Sequence, residues 1–164
     1  NMKLKIFFIL PLSIFLFSSS AVAQDYLSIG LDASTLIGEL NEFYGNPVGA
    51  NVQYEKEISE SFTGLVQSGF TYVPNDLIID ALIFMIPARV GVKYFFTDKF
   101  YAQGAIGAHY VNAVTTFGTG NGTFFSFGLS GGIQLGPIDI GPVLNLVDNS
   151  WSHVGLRLAY RMER

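Results

Sequence analysis

The 164-residue chain contains no cysteine, a single tryptophan and two histidines, and only 13% of its residues are Asp, Glu, Lys or Arg. Each scarcity closes off a class of chemistry. Without cysteine there is no disulfide, no thiolate nucleophile and no cysteine-bound metal. His109 and His153 are too far apart in sequence to form a metal motif, and no carboxylate spacing marks a metal or cofactor site. The few basic residues form no stripe that would attract nucleic acid, so no nucleic-acid partner is expected. Long apolar runs are missing too, apart from one at the front. No later segment approaches the roughly 20 apolar residues of a spanning helix.

That front segment, MKLKIFFILPLSIFLFSSSAVAQ, has the three parts of a secretory signal. Lys3 and Lys5 give a positive start, Ile6 to Phe17 form a short apolar core, and Ala21-Val22-Ala23 supplies small residues for a peptidase. The core is too short for a transmembrane anchor. Residues 1–23 are therefore expected to be a signal peptide cleaved after Ala23, with Asn1 unexplained by this reading. Residues 24–164 would form one exported domain of about 141 residues, the 164 less 23. That domain has seven basic residues against thirteen acidic ones.

What is abundant is glycine, phenylalanine and tyrosine, arranged with a period of two. Leu27, Ile29, Leu31 and Ala33 alternate with Ser28, Gly30, Asp32 and Ser34. Val48 to Tyr54 alternate with Gly49 to Glu55, and Phe62 to Tyr72 with Thr63 to Thr71. Ile86 to Phe96 oppose Arg89, Gly91 and Lys93, and Ala102 to Tyr110 oppose Gln103 to His109. Phe125 to Ile133, Ile138 to Leu146 and Val154 to Met162 complete eight such segments. Period-two alternation bounded by turn residues is the signature of half-buried strands. Each segment matches the 9–11 residues with which a tilted strand crosses a bilayer. Tight turns at Ser59-Glu60-Ser61, Thr97-Asp98-Lys99 and Gly136-Pro137 alternate with longer connections near 37–47, 74–83 and 112–122. The pattern predicts an all-β, eight-stranded, antiparallel up-and-down transmembrane β-barrel, with the longer loops outside the cell.

Charges decide which face is the lumen. Asp32, Glu55, Glu57, Arg89, Lys93, His109, Asp139, Arg157 and Arg161 all oppose the apolar parity and share their face with many glycines. A soluble barrel would turn them outward and enclose an apolar ligand pocket. The breadth of the uncharged belt favours the opposite assignment, with the charges as an ionic network filling the lumen and the apolar face against lipid. Aromatic girdles then explain the crowding in GVKYFFTDKFYAQGAIGAHY. Tyr94, Phe96 and Phe100, with Tyr54, Phe62 and Tyr160, are expected at the periplasmic interface of the membrane. Phe70, Tyr72, Tyr110 and Phe125 would form the outer girdle. Phe95 and Tyr101 have the opposite phase and would close the turn end.

With its signal, its eight strands, its loop rhythm and hairpins such as GVKYFFTDKFYAQGAIG, the chain resembles the small eight-stranded outer-membrane β-barrels of Gram-negative bacteria, the OmpX and OmpA-transmembrane-domain type. The resemblance implies an outer-membrane location, contact with outer-membrane lipids and handling by the barrel-assembly machinery. One departure is the ending Tyr160-Arg161-Met162-Glu163-Arg164, where such proteins often close on an aromatic residue. HYVNA, residues 109–113, is similar to the His-x-Ser-Asn stretch of outer-membrane lipid A deacylases, but Val111 stands at the nucleophile position, where the acyl transfer needs a hydroxyl. No enzyme is expected. GTGNG at 118–122 lacks the lysine of a phosphate loop and reads as a flexible outer loop. The apolar loop PNDLIIDALIF, 74–84, is expected to offer a patch or strand edge to an extracellular partner. The role read from the chain is structural or interaction-based, with a filled lumen. The alternative is a narrow channel for ions or very small solutes.

Overall fold

The computed structural model describes residues 24–38, 41, 44–74, 81–115, 118–147 and 151–163. The expected signal peptide and most of the apolar loop, 75–80, lie outside these residues. The strands are β1 (Asp25–Leu36), β2 (Val48–Ser59), β3 (Phe62–Val73), β4 (Ala81–Phe95), β5 (Phe100–Thr115), β6 (Gly118–Leu135), β7 (Ile138–Leu146) and β8 (His153–Glu163). They form one closed antiparallel barrel in chain order. β1 closes on β8 from Tyr26 opposite Glu163 to Leu36 opposite His153. Closure matters because an open sheet leaves a row of unpaired N–H and C=O groups, which lipid cannot satisfy.

The period-two pattern sorts the side chains between the two faces. In β8, His153, Arg157 and Ala159 are buried while Val154, Leu156, Leu158 and Tyr160 are exposed. In β1, Ser28 and Ser34 are buried while Ile29 and Leu31 are exposed. The polar parity thus faces the lumen and the apolar parity faces outward, the reverse of a soluble barrel. Val52, Val90, Val92, Ile106, Leu129 and Ile140 continue the exposed apolar belt around the wall.

One end has tight connections at 60–61, 96–99 and 136–137, and the other carries the connections 37–47, 74–80, 116–117 and 147–152. The long-short rhythm differs from expectation at one point. Of the expected loop over 112–122, residues 112–115 and 118–122 are strand: β5 and β6 pair out to Thr115 and Gly118, with Asn112 opposite Asn121 and Val111 opposite Gly122. GTGNG is therefore the paired start of β6 and not a flexible loop. β6 meets β7 only from Phe127 onward, so the β5–β6 hairpin stands above the wall.

Irregularities fall where the chemistry demands them. Proline has no N–H to give to a ladder. The β3–β4 ladder skips the positions around Pro87, and the β6–β7 ladder skips those around Pro142. A register shift between Glu57 and Ser59 lets β2 turn into β3. On the lumen side glycine is required by space. A Cβ at Gly107 would lie 2.1 Å from the Ala88 carbonyl oxygen and 2.9 Å from Arg89 Cγ, whereas one at the outward Gly104 would meet nothing within 4 Å.

These two glycines of β5 therefore give opposite expectations. Gly107→Val should destabilise the barrel by about 3 kcal/mol or more through overpacking against β4. Gly104→Ala should change stability by no more than about 0.5 kcal/mol. Urea unfolding of the protein refolded into lipid vesicles checks both.

Candidate functional site

The lumen has three levels, each built by inward-facing positions of several strands. Nearest the turn end, Lys93 of β4 reaches across the barrel to Glu55 of β2 and Asp139 of β7. Its Nζ lies 3.0 Å from Glu55 Oε1 and 3.2 Å from Asp139 Oδ2. Arg161 of β8 adds a contact of 3.4 Å from Nε to Glu55 Oε2. Ser28 Oγ and Gln53 Nε2 donate to Glu55 Oε1 at 3.0 and 2.9 Å, and the Tyr101 hydroxyl donates to Asp139. The Tyr101 ring lies 4.5 Å from Lys93 Nζ, a favourable face for a cation. Lys93 and Glu55 are each 0% exposed. Two cations thus meet two carboxylates, with Glu55 Oε1 and Asp139 well supplied by hydrogen bonds, while Glu55 Oε2 and the half-buried Arg161 Nε are held to each other by the ion contact without a hydrogen bond.

Arg161 of this cluster also lines a vestibule of about 320 Å³ that opens at the turn end, together with Glu57, Thr63, Phe95 and Gln134 among others. Glu57 stands apart from the ion pairs. It accepts a 3.2 Å hydrogen bond from the Tyr26 hydroxyl, while the Arg161 guanidinium stacks 3.3 Å over the Tyr26 ring. Phe95 and Tyr101 pack together at 5.8 Å between ring centres, on the lumen side of the wall.

The middle level is less evenly balanced. Arg157 Nε and Nη2 donate to the two oxygens of Asp32 at 2.8 and 3.3 Å, and Asn51 Nδ2 adds a bond of 2.9 Å. Arg89, expected to be balanced by a carboxylate, is not. It is buried and donates to Asn145 Oδ1, and it forms no ion pair among the described residues. The reason is register. Arg89 stands beside Gln67 on β3 and Gly107 on β5, which offer it no charge. His153 Nδ1 faces the Trp151 carbonyl at 3.1 Å, so Nε2 is left to accept from Asn145 Nδ2 at 2.9 Å. His109 is buried, with its ring centre 6.4 Å from that of His153. Val111 is buried in the apolar cluster above, so HYVNA brings no hydroxyl to His109 from the nucleophile position.

The third level was missed by the sequence reading. At the loop end Leu36, Val73, Ile83, Met85 and Val111 form a buried apolar cluster, with Tyr44, Ala113, Phe124 and Trp151 packed against it. The signal was present, because Ile83 and Met85 continue the inward parity of Arg89, Gly91 and Lys93. Leu82 to Ile86 are all apolar, so alternation alone does not mark which of them face inward. Of the loop expected over 74–84, residues 81–84 belong to β4, and Ile83 points into the barrel. That part of the loop is a stopper for the lumen.

The aromatic residues expected at interfaces face outward in two bands. Phe62, Tyr94, Phe96, Phe100 and Tyr160 are exposed toward the turn end, with Tyr54 half-buried. Phe62 and Tyr94 pack at 4.8 Å between ring centres, and Tyr94 meets Phe96 edge-on at 5.1 Å. Toward the loop end Phe70 stacks on Phe84 at 5.6 Å, Tyr72 and Tyr110 are half-buried, and Phe125 is 72% exposed.

Removing Lys93 should expose the dependence of the lumen on its charges. Lys93→Met strands Glu55 and Asp139, and is expected to cost about 3–5 kcal/mol of unfolding free energy. Adding Glu55→Gln should recover part of it, with a coupling of about 0.5–3 kcal/mol between the two sites. Urea unfolding of the two single variants and the double variant measures that coupling.

Neither a family model nor a curated protein matches the sequence. Solved structures do match the fold. Ail, the attachment invasion locus protein of Yersinia pestis, superposes with a TM-score of 0.64 at 16% identity, over 85% of this chain and 99% of that one. Its complex with the heparin analogue sucrose octasulfate gives 0.65 at 18% identity, with the same coverage. Neisserial surface protein A gives 0.58 at 13% identity, over 85% of this chain and 95% of that one. The chain is an all-β closed barrel with the fold of the small eight-stranded outer-membrane β-barrels.

Proposed function

We propose that this chain is an exported outer-membrane barrel that does not conduct, and that acts at the cell surface by interaction. The carrying observation is a lumen filled at both ends, by the apolar cluster around Ile83 and Met85 and by the buried ion pairs around Lys93. An exposed apolar belt around a whole barrel has no soluble counterpart, since soluble monomers rarely expose patches beyond a few hundred Å². Lipid is the solvent that suits it. The two aromatic bands then lie at headgroup depth, with the vestibule facing the periplasm and the loop end facing outward. The narrow-channel reading requires a wet path past Lys93 and Met85, and the packing of both argues against one.

The interaction surface favoured by the geometry is the β5–β6 hairpin, in place of the apolar loop alone. From Gly118 to Ser126, β6 is paired with β5 and with no residue of β7. This stretch, GTGNGTFFS, carries no charge and no proline, the usual guards of an edge strand. An extended segment of a partner protein would add to it as a further strand. The loop-end connections also set the charge of that partner. Glu39, Glu42, Asp76, Asp80 and Asp148 lie there with no Lys or Arg among them. A polyanion of the kind bound by Ail would meet like charge.

Because the chain has no cysteine, single cysteines report topology cleanly. Asn121→Cys should react with a membrane-impermeant maleimide on intact cells, and Asp98→Cys should react only after the outer membrane is opened. The reverse pattern, or a soluble periplasmic protein, would sink this reading. Purified protein in planar bilayers should show no steady conductance, and heparin resin should not retain it at physiological salt. Reproducible channels altered by Arg89 or Glu55 substitution would restore the channel alternative.

A further inference from the structure

Among the inward charges of the described strands, the four that pair at the turn end cancel, Lys93 and Arg161 against Glu55 and Asp139, and Glu57 adds a negative charge beside them at the open vestibule. The middle level is not balanced. Arg157 and Arg89 share that level with one carboxylate, Asp32, which Arg157 already holds through two hydrogen bonds. Arg89 is left buried with its charge uncancelled, in a barrel stoppered above by apolar residues. An isolated buried charge is costly unless something pairs with it.

The surroundings of Arg89 are built and not incidental. Gly107 and Gly128 make room for it. A Cβ at Gly128 would lie 2.4 Å from Arg89 Nη1, and one at Gly107 would lie 2.9 Å from its Cγ. Beside it is a cavity of about 10 Å³, lined among others by Gln67, Arg89, Gln103, Asn145 and Arg157. That is room for a single water-sized particle. Two of the lining residues keep buried hydrogen-bond donors with no partner, Arg89 Nε and Gln67 Nε2. Gln67 is 2% exposed and Arg89 5%, so bulk water does not reach them to compensate.

Unpartnered N–H donors, an excess positive charge and monatomic room select an anion over a cation and a small one over a large one. Carboxylates and phosphates exceed the space. We propose that the cavity between Gln67, Arg89 and Arg157 holds one small monovalent anion of the halide class, enclosed as the barrel closes. The ion cancels the charge of Arg89 and accepts from Arg89 Nε and Gln67 Nε2. With the lumen closed on both sides, it exchanges with solvent only when the barrel opens or unfolds. The inference concerns the lumen wall and is independent of any surface partner.

The test begins from unfolded protein. The chain is refolded into detergent in radioactive chloride, desalted and counted, and refolded in parallel in bromide for anomalous diffraction. The expected result is one retained chloride per folded chain and a bromide peak beside Arg89 Nε and Gln67 Nε2. Unfolding should release the label. The unfolding midpoint of protein refolded in chloride should exceed that of protein refolded in gluconate at equal ionic strength, and Arg89→Gln should abolish both retention and that difference. Absence of label and of a bromide peak in the folded wild-type protein, with identical midpoints in the two salts, would overturn the proposal and leave water as the occupant. The wild-type counts and diffraction stand even if the variant does not fold.

Discussion

Everything in this protein follows from closing eight strands into a circle. Pairing β1 with β8 leaves the barrel wall no lateral edge, and it also fixes a lumen only wide enough for side chains. Whatever points inward must then find its partners inward. Lys93 is the clearest consequence, because its ammonium joins β4 to β2 and to β7 across the interior. Neither Glu55 nor Asp139 lies on a strand adjacent to β4, so this contact braces the wall from within. In the proposed membrane setting, lipid gives an apolar side chain little reason to leave it, and packing inward does not drive assembly as it does in water. Stability rests on the backbone ladder and on the pairing of the lumen.

The lumen is graded in polarity along its axis. An ionic cluster at the turn end gives way to hydrogen-bonded amides and histidines, and then to aliphatic side chains at the loop end. The two ends resist an ion for different physical reasons. An ion moving past Lys93 would have to break two ion pairs in a low dielectric. One moving past Ile83 and Met85 would shed its hydration with nothing to replace it. A pore would need all three levels open, since they lie in series along one axis.

How much of this was legible in the sequence depends on what each feature needs. Parity needs only near neighbours, so the eight strands and the inward face of Asp32, Glu55, Arg89, Lys93, Asp139 and Arg157 were readable. Strand ends were not. β4 begins five residues before Ile86, and β5 and β6 run through the expected loop at 112–122, because tertiary pairing extends strands beyond their clean alternation. Partner choice was still less readable. That Lys93 would meet Glu55 and Asp139 while Arg89 would meet only an amide depends on the stagger of strands around the circle. Alternation within a strand carries no information about that stagger.

The same stagger makes the wall uneven, and the unevenness is what makes a surface role physical. β5 and β6 have 16 and 18 residues while β7 has 9, so one side of the barrel rises well above the other. A protruding hairpin with glycines at 118, 120 and 122 would ordinarily be too loose to present an edge. Its base is held instead. Phe124 and Ala113 face the lumen side and pack on the cluster of Leu36, Val73, Ile83, Met85 and Val111. Gly122 leaves the space that the Phe124 ring uses, since a Cβ there would come within 2.9 Å of it. The apolar cap that closes the lumen thus also anchors the hairpin. An edge already ordered loses less conformational freedom when a partner strand docks, and more of the backbone hydrogen bonding is left as affinity.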